Sequence, residues 1–289
     1  MARAVIGIMG GSGVYDLPGL ELIEERHVAT PWGQPSDQLR IGRLGQTDVV
    51  FLARHGRGHR HSPSDINYRA NIHALKSLGV TDLVSLSACG SLKAELYPGL
   101  IVFVDQFVDR TFKRENSFFG AGCVAHVSMA HPVGPRLQQR LVAAAKAEGV
   151  PHSVNGTYVC IEGPQFSTYA ESVTYRSSGY DVIGMTNMPE ARLAREAEIT
   201  YATCAMVTDF DCWHPEHDAV DVAQIVATVK ANAANAARLV ARMARDFGAE
   251  REPCPVKSDR ALDGAIMTAA DMRDDAYLER LQVIAGRVL

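Results

Sequence analysis

The chain begins with a short apolar run, residues 5–9, which stops at Gly10-Gly11-Ser12-Gly13. An apolar run of this length, bounded by glycines, predicts a buried strand. Residues 39–44 and 48–53 flank a Gly-containing turn and predict a hairpin. Over residues 67–78 the period changes: Ile72, Leu75 and Leu78 fall on one helical face, and Gly79 follows as a stop. Further strands are predicted over 82–87, 100–105, 156–161, 181–185 and 199–207. Helices are predicted over 135–148, 166–178 and 189–198, the first with Pro135 at its start and Gly149 just past its end. Strands alternating with helices imply an α/β fold with a mixed or mostly parallel sheet covered on both faces. An alanine-rich helix over 221–247 carries Val222, Ile225, Val226 and Val229 on one stripe. Residues 248–257, with two prolines, read as a linker, and 261–289 as a helical tail. This divides the chain into a domain over 1–250 and a C-terminal tail over 251–289 packed on or near it.

Charge and cysteine usage narrow the setting. The 289 residues carry a net charge of -4, and the basic residues form no polybasic block, so neither a nucleic acid nor a membrane is expected as partner. No apolar run approaches the roughly 20 residues that span a bilayer. The opening residues are broken by glycine too soon for a secretory segment, so a cytoplasmic protein is expected. The six cysteines are spread singly with no C-x-x-C, as reduced packing residues would be.

Six segments at predicted strand ends carry side chains suited to chemistry, and strand ends are where ligands gather in such sheets. Gly10-Gly11-Ser12-Gly13 can present backbone N–H groups and one hydroxyl to an anion. Arg54 and His55, in a segment that also holds His59 and His61, offer a guanidinium able to grip two phosphate oxygens and an imidazole donor. Three histidines also raise a metal site, but no cysteine or acidic pattern of metal type accompanies them. Ser87 and the N–H that follows it, in Ser85-Leu86-Ser87-Ala88-Cys89-Gly90, can complete a phosphate cradle; Cys89 reads as packing. Phe166 stands at a strand-to-helix corner where a ring can stack on a flat base. Met185 and Thr186, in Gly184-Met185-Thr186-Asn187-Met188-Pro189-Glu190, join apolar and hydroxyl surface. Asp209 and Asp211 end the longest apolar strand, where carboxylates are costly without donors and hence good candidates for function.

These segments, in this order and spacing, resemble the methylthioadenosine phosphorylase branch of the trimeric purine nucleoside phosphorylase family over about residues 4–250. The strings Ala53-Arg54-His55-Gly56-Arg57, Asn67-Tyr68-Arg69-Ala70-Asn71-Ile72, Asp105-Gln106-Phe107 and Ala205-Met206-Val207-Thr208-Asp209 make the likeness specific. The resemblance implies a single-domain fold, a mixed sheet or distorted barrel flanked by helices, that assembles as a trimer or a pair of trimers. It implies phosphorolysis of a nucleoside, with phosphate as co-substrate and no metal or organic cofactor. Phosphate is then held by Gly11, Ser12, Arg54, His55, Ser87, Ala88 and Thr186. Ribose meets Met185, and the base lies against Phe166, with Ser167 beside it and Asp209 and Asp211 reading its edge. Val222, Ile225 and Val226 line an apolar 5′ pocket that His126 closes from a neighbouring subunit.

Hydrogen-bond chemistry bears on the base. A 6-amino group is a donor and wants a carboxylate, whereas a 6-oxo group wants a donor such as Asn. Asp209 therefore favours adenine, and Ser167, where 6-oxopurine relatives carry Glu, points the same way. A phosphorylase for 6-oxopurine nucleosides or methylthioinosine is the rival reading. Beyond it stand a hydrolytic nucleosidase and a non-catalytic nucleoside binder. Gly184, where some relatives have Asn, implies a looser site with tolerance for adenosine.

Overall fold

In the computed structural model, residues 3–11, 14, 17–215 and 222–289 are described, residues 222–225 by their backbone alone. The opening apolar run forms β1 (Val5–Gly10), whose Ile6 and Ile8 are fully buried. Each such side chain contributes roughly 1.5–3 kcal/mol on burial. β2 (Glu21–Arg26), β3 (Leu39–Leu44) and β4 (Thr47–Ala53) form an antiparallel series, and β4 returns alongside β1 in parallel. After α1 (Tyr68–Ser77), β5 (Asp82–Ser91) pairs in parallel with the other side of β1. The chain then runs through β6 (Ile101–Phe103), β7 (Gln106–Asp109), α2 (Pro135–Ala147), β8 (His152–Val154), β9 (Thr157–Cys160), α3 (Tyr169–Ser177) and β10 (Val182–Gly184). α4 (Asn187–Glu196), β11 (Thr200–Asp209), α5 (Val222–Arg245) and α6 (Asp275–Ala285) complete it.

Among the described residues the strands make one mixed sheet of eleven, and β5 is where it forks. The first part of β5 lies between β1 and β11, both parallel to it; its last residues, Gly90 and Ser91, pair antiparallel with β10. A strand with three neighbours must be buried on every side. Nine of its ten residues are, Ala88 alone being half-buried. One apolar layer packs α1, α4 and α6 on the sheet through residues such as Ile72, Leu193 and Ile284. A second packs α2 and α5 through Leu141, Leu239 and Val240.

Departures from the predicted elements have local causes. β2 is exposed at all six positions, so the strand carries no burial signal. β7 and β8 have only four and three residues, too few for a period to register. The tail is helical only at Asp275–Ala285; residues 261–274 hold two short turns, and one of them, Ala270–Met272, is unburied throughout. The tail is nevertheless fastened to the domain. Arg287 donates to both carboxylate oxygens of Glu198, at 2.9 and 2.6 Å, and Leu281, Ile284 and Ala285 join the α1–α4 layer.

Candidate functional site

β1 ends at Gly10 and passes to Gly11, whose backbone is pressed against β5: a β carbon there would stand 2.2 Å from the Leu86 carbonyl oxygen. Only glycine fits there. Arg54, just past β4, comes to the same place, since its backbone N–H donates to the Gly10 carbonyl at 2.9 Å. Its side chain is buried and committed. Nε donates to Glu190 Oε2 at 2.7 Å, Nη2 to Ser85 Oγ at 2.5 Å and Glu190 Oε1 at 3.3 Å, and Nη1 to the Leu86 carbonyl at 2.9 Å. The expected two-pronged grip on phosphate is corrected by this arrangement, because the fork is already closed on Glu190. Of five N–H groups, one on Nη1 remains without a partner among the described residues, 3.2 Å from where a Gly11 β carbon would be. Burial opposes the charge, but the Glu190 carboxylate outweighs it and holds the guanidinium above its ordinary value.

His55 is corrected similarly. Its Nδ1 lies 2.9 Å from the His61 carbonyl oxygen, which only accepts, so Nδ1 carries the proton. Burial, with the Arg54 charge adding to it, pushes the imidazole down to about 3, so the ring is neutral and Nε2 is an acceptor. It can meet the single O–H of a monoprotonated phosphate, whereas the expected donor role is absent. His59 stacks face to face on this ring at 4.1 Å, an arrangement that does not converge ligand nitrogens on a metal. Among the described residues no group of three or more His, Cys, Asp or Glu side chains is placed to hold one.

Ser87 and Thr186 meet from β5 and the residue before α4, with Oγ and Oγ1 3.2 Å apart. Ala88 follows, half-buried. Arg54 Nη1 thus approaches Gly11, and Ser87 meets Thr186 one residue further along β5 than Leu86; Ser12 lies outside the described residues. Three residues further along β5, a span of about 10 Å, Gly90 faces the acidic pair: a β carbon there would stand 2.9 Å from Asp209 Oδ1. Arg54 and Asp209 therefore serve opposite ends of one stretch of β5.

Of the acidic pair expected to end β11, Asp209 does so, but Asp211 lies beyond it. The register of β11 shifts between Val207 and Asp209, and Asp211 lies in a left-handed turn with φ 53°. The turn folds the Asp211 N–H back on Asp209 Oδ1 at 2.8 Å, while Thr208 Oγ1 donates to Oδ2 at 2.6 Å. Burial raises Asp209 above the usual carboxylate range, against those two donors. Burial raises Asp211 as well, opposed by the hydroxyls of Ser172 and Ser167. Asp211 Oδ2, Ser167 Oγ and Ser172 Oγ are shut off from solvent together. Phe166 stands beside them, 52% exposed, and the Ser167 carbonyl accepts from Cys212 Sγ at 3.4 Å. Cys89 is buried next to Asp209 and its thiol is pushed up by burial, as a packing residue's would be.

Several functional supports escaped sequence reasoning. Arg114 reads as a solvated charge in Lys113-Arg114-Glu115, but its side chain is buried. It donates to the carbonyls of Met185 and Met188, both at 2.6 Å, and of Glu162 at 2.8 Å, so it sets the backbone that carries Met185 and Thr186. Glu162 in turn accepts from Ser64 and the Phe112 N–H; burial works against its charge, but these donors and Arg114 hold it below the usual range. Glu190, Asn187 and Tyr201 form a buried network around Ser85 and Arg54. No sequence signal links Arg54 to a partner 136 residues away. Gly184 is not a loosening: a β carbon there would lie 1.8 Å from Tyr158 Oη, so the phenol occupies the space. Of the 5′ pocket residues, Val222 and Ile225 have side chains outside the description, and Val226 and His126 are exposed.

The chain matches the family described as the phosphorylase superfamily over residues 5–245. It is 66% identical over 289 residues to the S-methyl-5′-thioadenosine phosphorylase of Bradyrhizobium diazoefficiens, covering 100% of this chain and 99% of that one. Among solved structures, it resembles a methylthioadenosine phosphorylase from an antarctic soil metagenomic library with a TM-score of 0.91 at 44% identity, covering 98% and 99% of the two chains. A variant of the adenosine/methylthioadenosine phosphorylase of Schistosoma mansoni, in complex with methylthioadenosine, superposes with a TM-score of 0.85 at 36% identity, covering 94% and 99%.

Proposed function

The chain belongs to the phosphorylase superfamily, and from that premise we propose that it splits 5′-methylthioadenosine with inorganic phosphate, giving adenine and 5-methylthioribose 1-phosphate. The observation that carries this reading is the arrangement along β5, with an anion cradle near Ser87 and a buried acid facing Gly90, about a nucleoside's length apart.

The geometry translates into roles. The Gly11 N–H, the remaining Arg54 Nη1 N–H and the hydroxyls of Ser87 and Thr186 donate to phosphate, while neutral His55 accepts its proton. Phosphate held in this way is positioned beneath C1′ and does not have to be captured during the reaction. As the C1′–N9 bond stretches, positive charge grows on the ribose and is neutralised by the phosphate that then attacks it. Negative charge grows on the purine. Asp209, whose affinity for a proton burial raises, donates to N7 in its protonated form and eases the base away. Asp211 accepts from the 6-amino group, Phe166 stacks on the ring, and Met185 lies against the ribose. The chemistry calls on no metal or organic cofactor. Val226, exposed on α5, faces the 5′-methylthio group. The exposure of Val226 and His126 supports a homotrimer in which His126 closes that pocket on a neighbouring subunit.

Base release from methylthioadenosine, adenosine, inosine and methylthioinosine, each with and without phosphate, tests the reading. Adenine is expected from methylthioadenosine in the presence of phosphate only, with slower use of adenosine and little of the 6-oxo pair. Free base formed at the same rate without phosphate overturns it in favour of hydrolysis. Thr186→Val removes one donor to a charged ligand, worth roughly 1.5–3 kcal/mol. The KM for phosphate is expected to rise about tenfold or more while the KM for nucleoside holds. An unchanged phosphate KM removes Thr186 from the cradle.

A further inference from the structure

Tyr158 lies in β9, on the far side of β10 from β5, and is fully buried. Its ring packs edge-on to Phe107 at 5.9 Å, so packing alone accounts for an aromatic there. It does not account for the hydroxyl. The Oη atom reaches across the position of the missing Gly184 side chain and stops 3.0 Å from Ser87 Oγ. This is its one hydrogen bond among the described residues. From this we infer that Tyr158 is a positioning residue for the phosphate cradle, its hydroxyl setting the direction in which the Ser87 and Thr186 hydroxyls donate. The inference rests on the phosphorolytic reading above.

Proton counting carries the argument. A buried O–H without an acceptor is costly, and Ser87 Oγ is the acceptor within reach of the phenol, so Tyr158 donates to Ser87. Burial holds the phenol well above its ordinary value, so that proton stays in place. Tyr158, Ser87 and Thr186 form a row of three hydroxyls joined by two contacts, at 3.0 and 3.2 Å. Three protons serve these two links and the Ala88 carbonyl oxygen, 3.3 Å from Ser87 Oγ. With Tyr158 donating inward, the Ser87 proton cannot point back at the phenol, so the Ser87 and Thr186 protons are turned toward each other, the Ala88 carbonyl or the end where phosphate is to bind. Without the phenol, the Ser87 proton is free to turn back into the space that Oη fills, away from the phosphate end. Gly184 is the structural condition of this arrangement, since any larger residue displaces Oη.

Tyr158→Phe keeps the ring and removes the one atom at issue. The expected result is a KM for phosphate raised about three- to tenfold, the loss of one neutral hydrogen bond. The kcat at saturating phosphate, the KM for methylthioadenosine and the melting temperature are expected to stay near wild type. A second pair of variants asks whether a hydroxyl at this point is what matters. Tyr158→Val weakens phosphate use, and adding Gly184→Ser, which places a hydroxyl in the vacated space, restores it in part. The inference is overturned if Tyr158→Phe leaves the phosphate KM unchanged, or if both KM values and the melting temperature move together, as a purely structural role requires. If the wild-type protein itself shows no phosphate dependence, the functional reading fails first; if it saturates with phosphate and Tyr158→Phe does the same, only this inference fails.

Discussion

Asp209→Asn is expected to lower kcat/KM for methylthioadenosine about 10²-fold or more, the scale of losing a positioned acid at the leaving group. Asn can donate a hydrogen bond to N7 but cannot surrender a proton, so the measurement separates the two contributions. Burial raises Asp209 above the usual carboxylate range. The working form is the protonated one, so the rate is full below the raised value and falls as pH rises through it. That alkaline limb should disappear in the Asn variant. Full activity of Asp209→Asn on methylthioadenosine would remove the acid from the mechanism.

Glu190→Leu should be the most destabilising single change in the site. The guanidinium of Arg54 is 1% exposed and Glu190 0%, and the two are joined by contacts of 2.7 and 3.3 Å. Removing the carboxylate leaves a buried cation uncompensated, at a cost of about 3–5 kcal/mol. Typical total stabilities are only about 5–15 kcal/mol. The Tyr201 hydroxyl, which donates to Glu190 at 2.9 Å, loses its acceptor too. Denaturation midpoints, compared at one protein concentration because assembly contributes to them, measure the effect. The double variant Arg54→Met with Glu190→Leu removes both charges and should recover most of the stability while phosphate use stays impaired. Wild-type stability in Glu190→Leu alone would mean that the pair is dispensable to the fold. The same geometry makes Arg54→Ala a poor probe of phosphate binding, since it strands Glu190.

How much of this could be read from the chain differs from residue to residue. β1, the β3–β4 hairpin, α1 and α2 stand where runs, turns and Gly or Pro stops predict them, because their signals are local. β2 escaped notice because an edge strand with every residue exposed has no buried face to mark it. Asp209, Thr186, Ser87 and Arg54 were legible as polar residues at strand ends. The partners that tune them were not: Glu190, Arg114 and Tyr158 look like an ordinary helix-start acid, a surface cation and a core aromatic.

The sequence by itself determined the order of the elements with a local signal, the family and the chemical types at the site, since each is written in residue kind and short-range spacing. Only the tertiary structure decided which N–H of Arg54 is left to donate, on which nitrogen His55 keeps its proton, and why residue 184 has no side chain. Those depend on which distant groups share a few ångströms of buried space, where an unpaired charge or hydroxyl is costly, and chain order carries no record of that proximity.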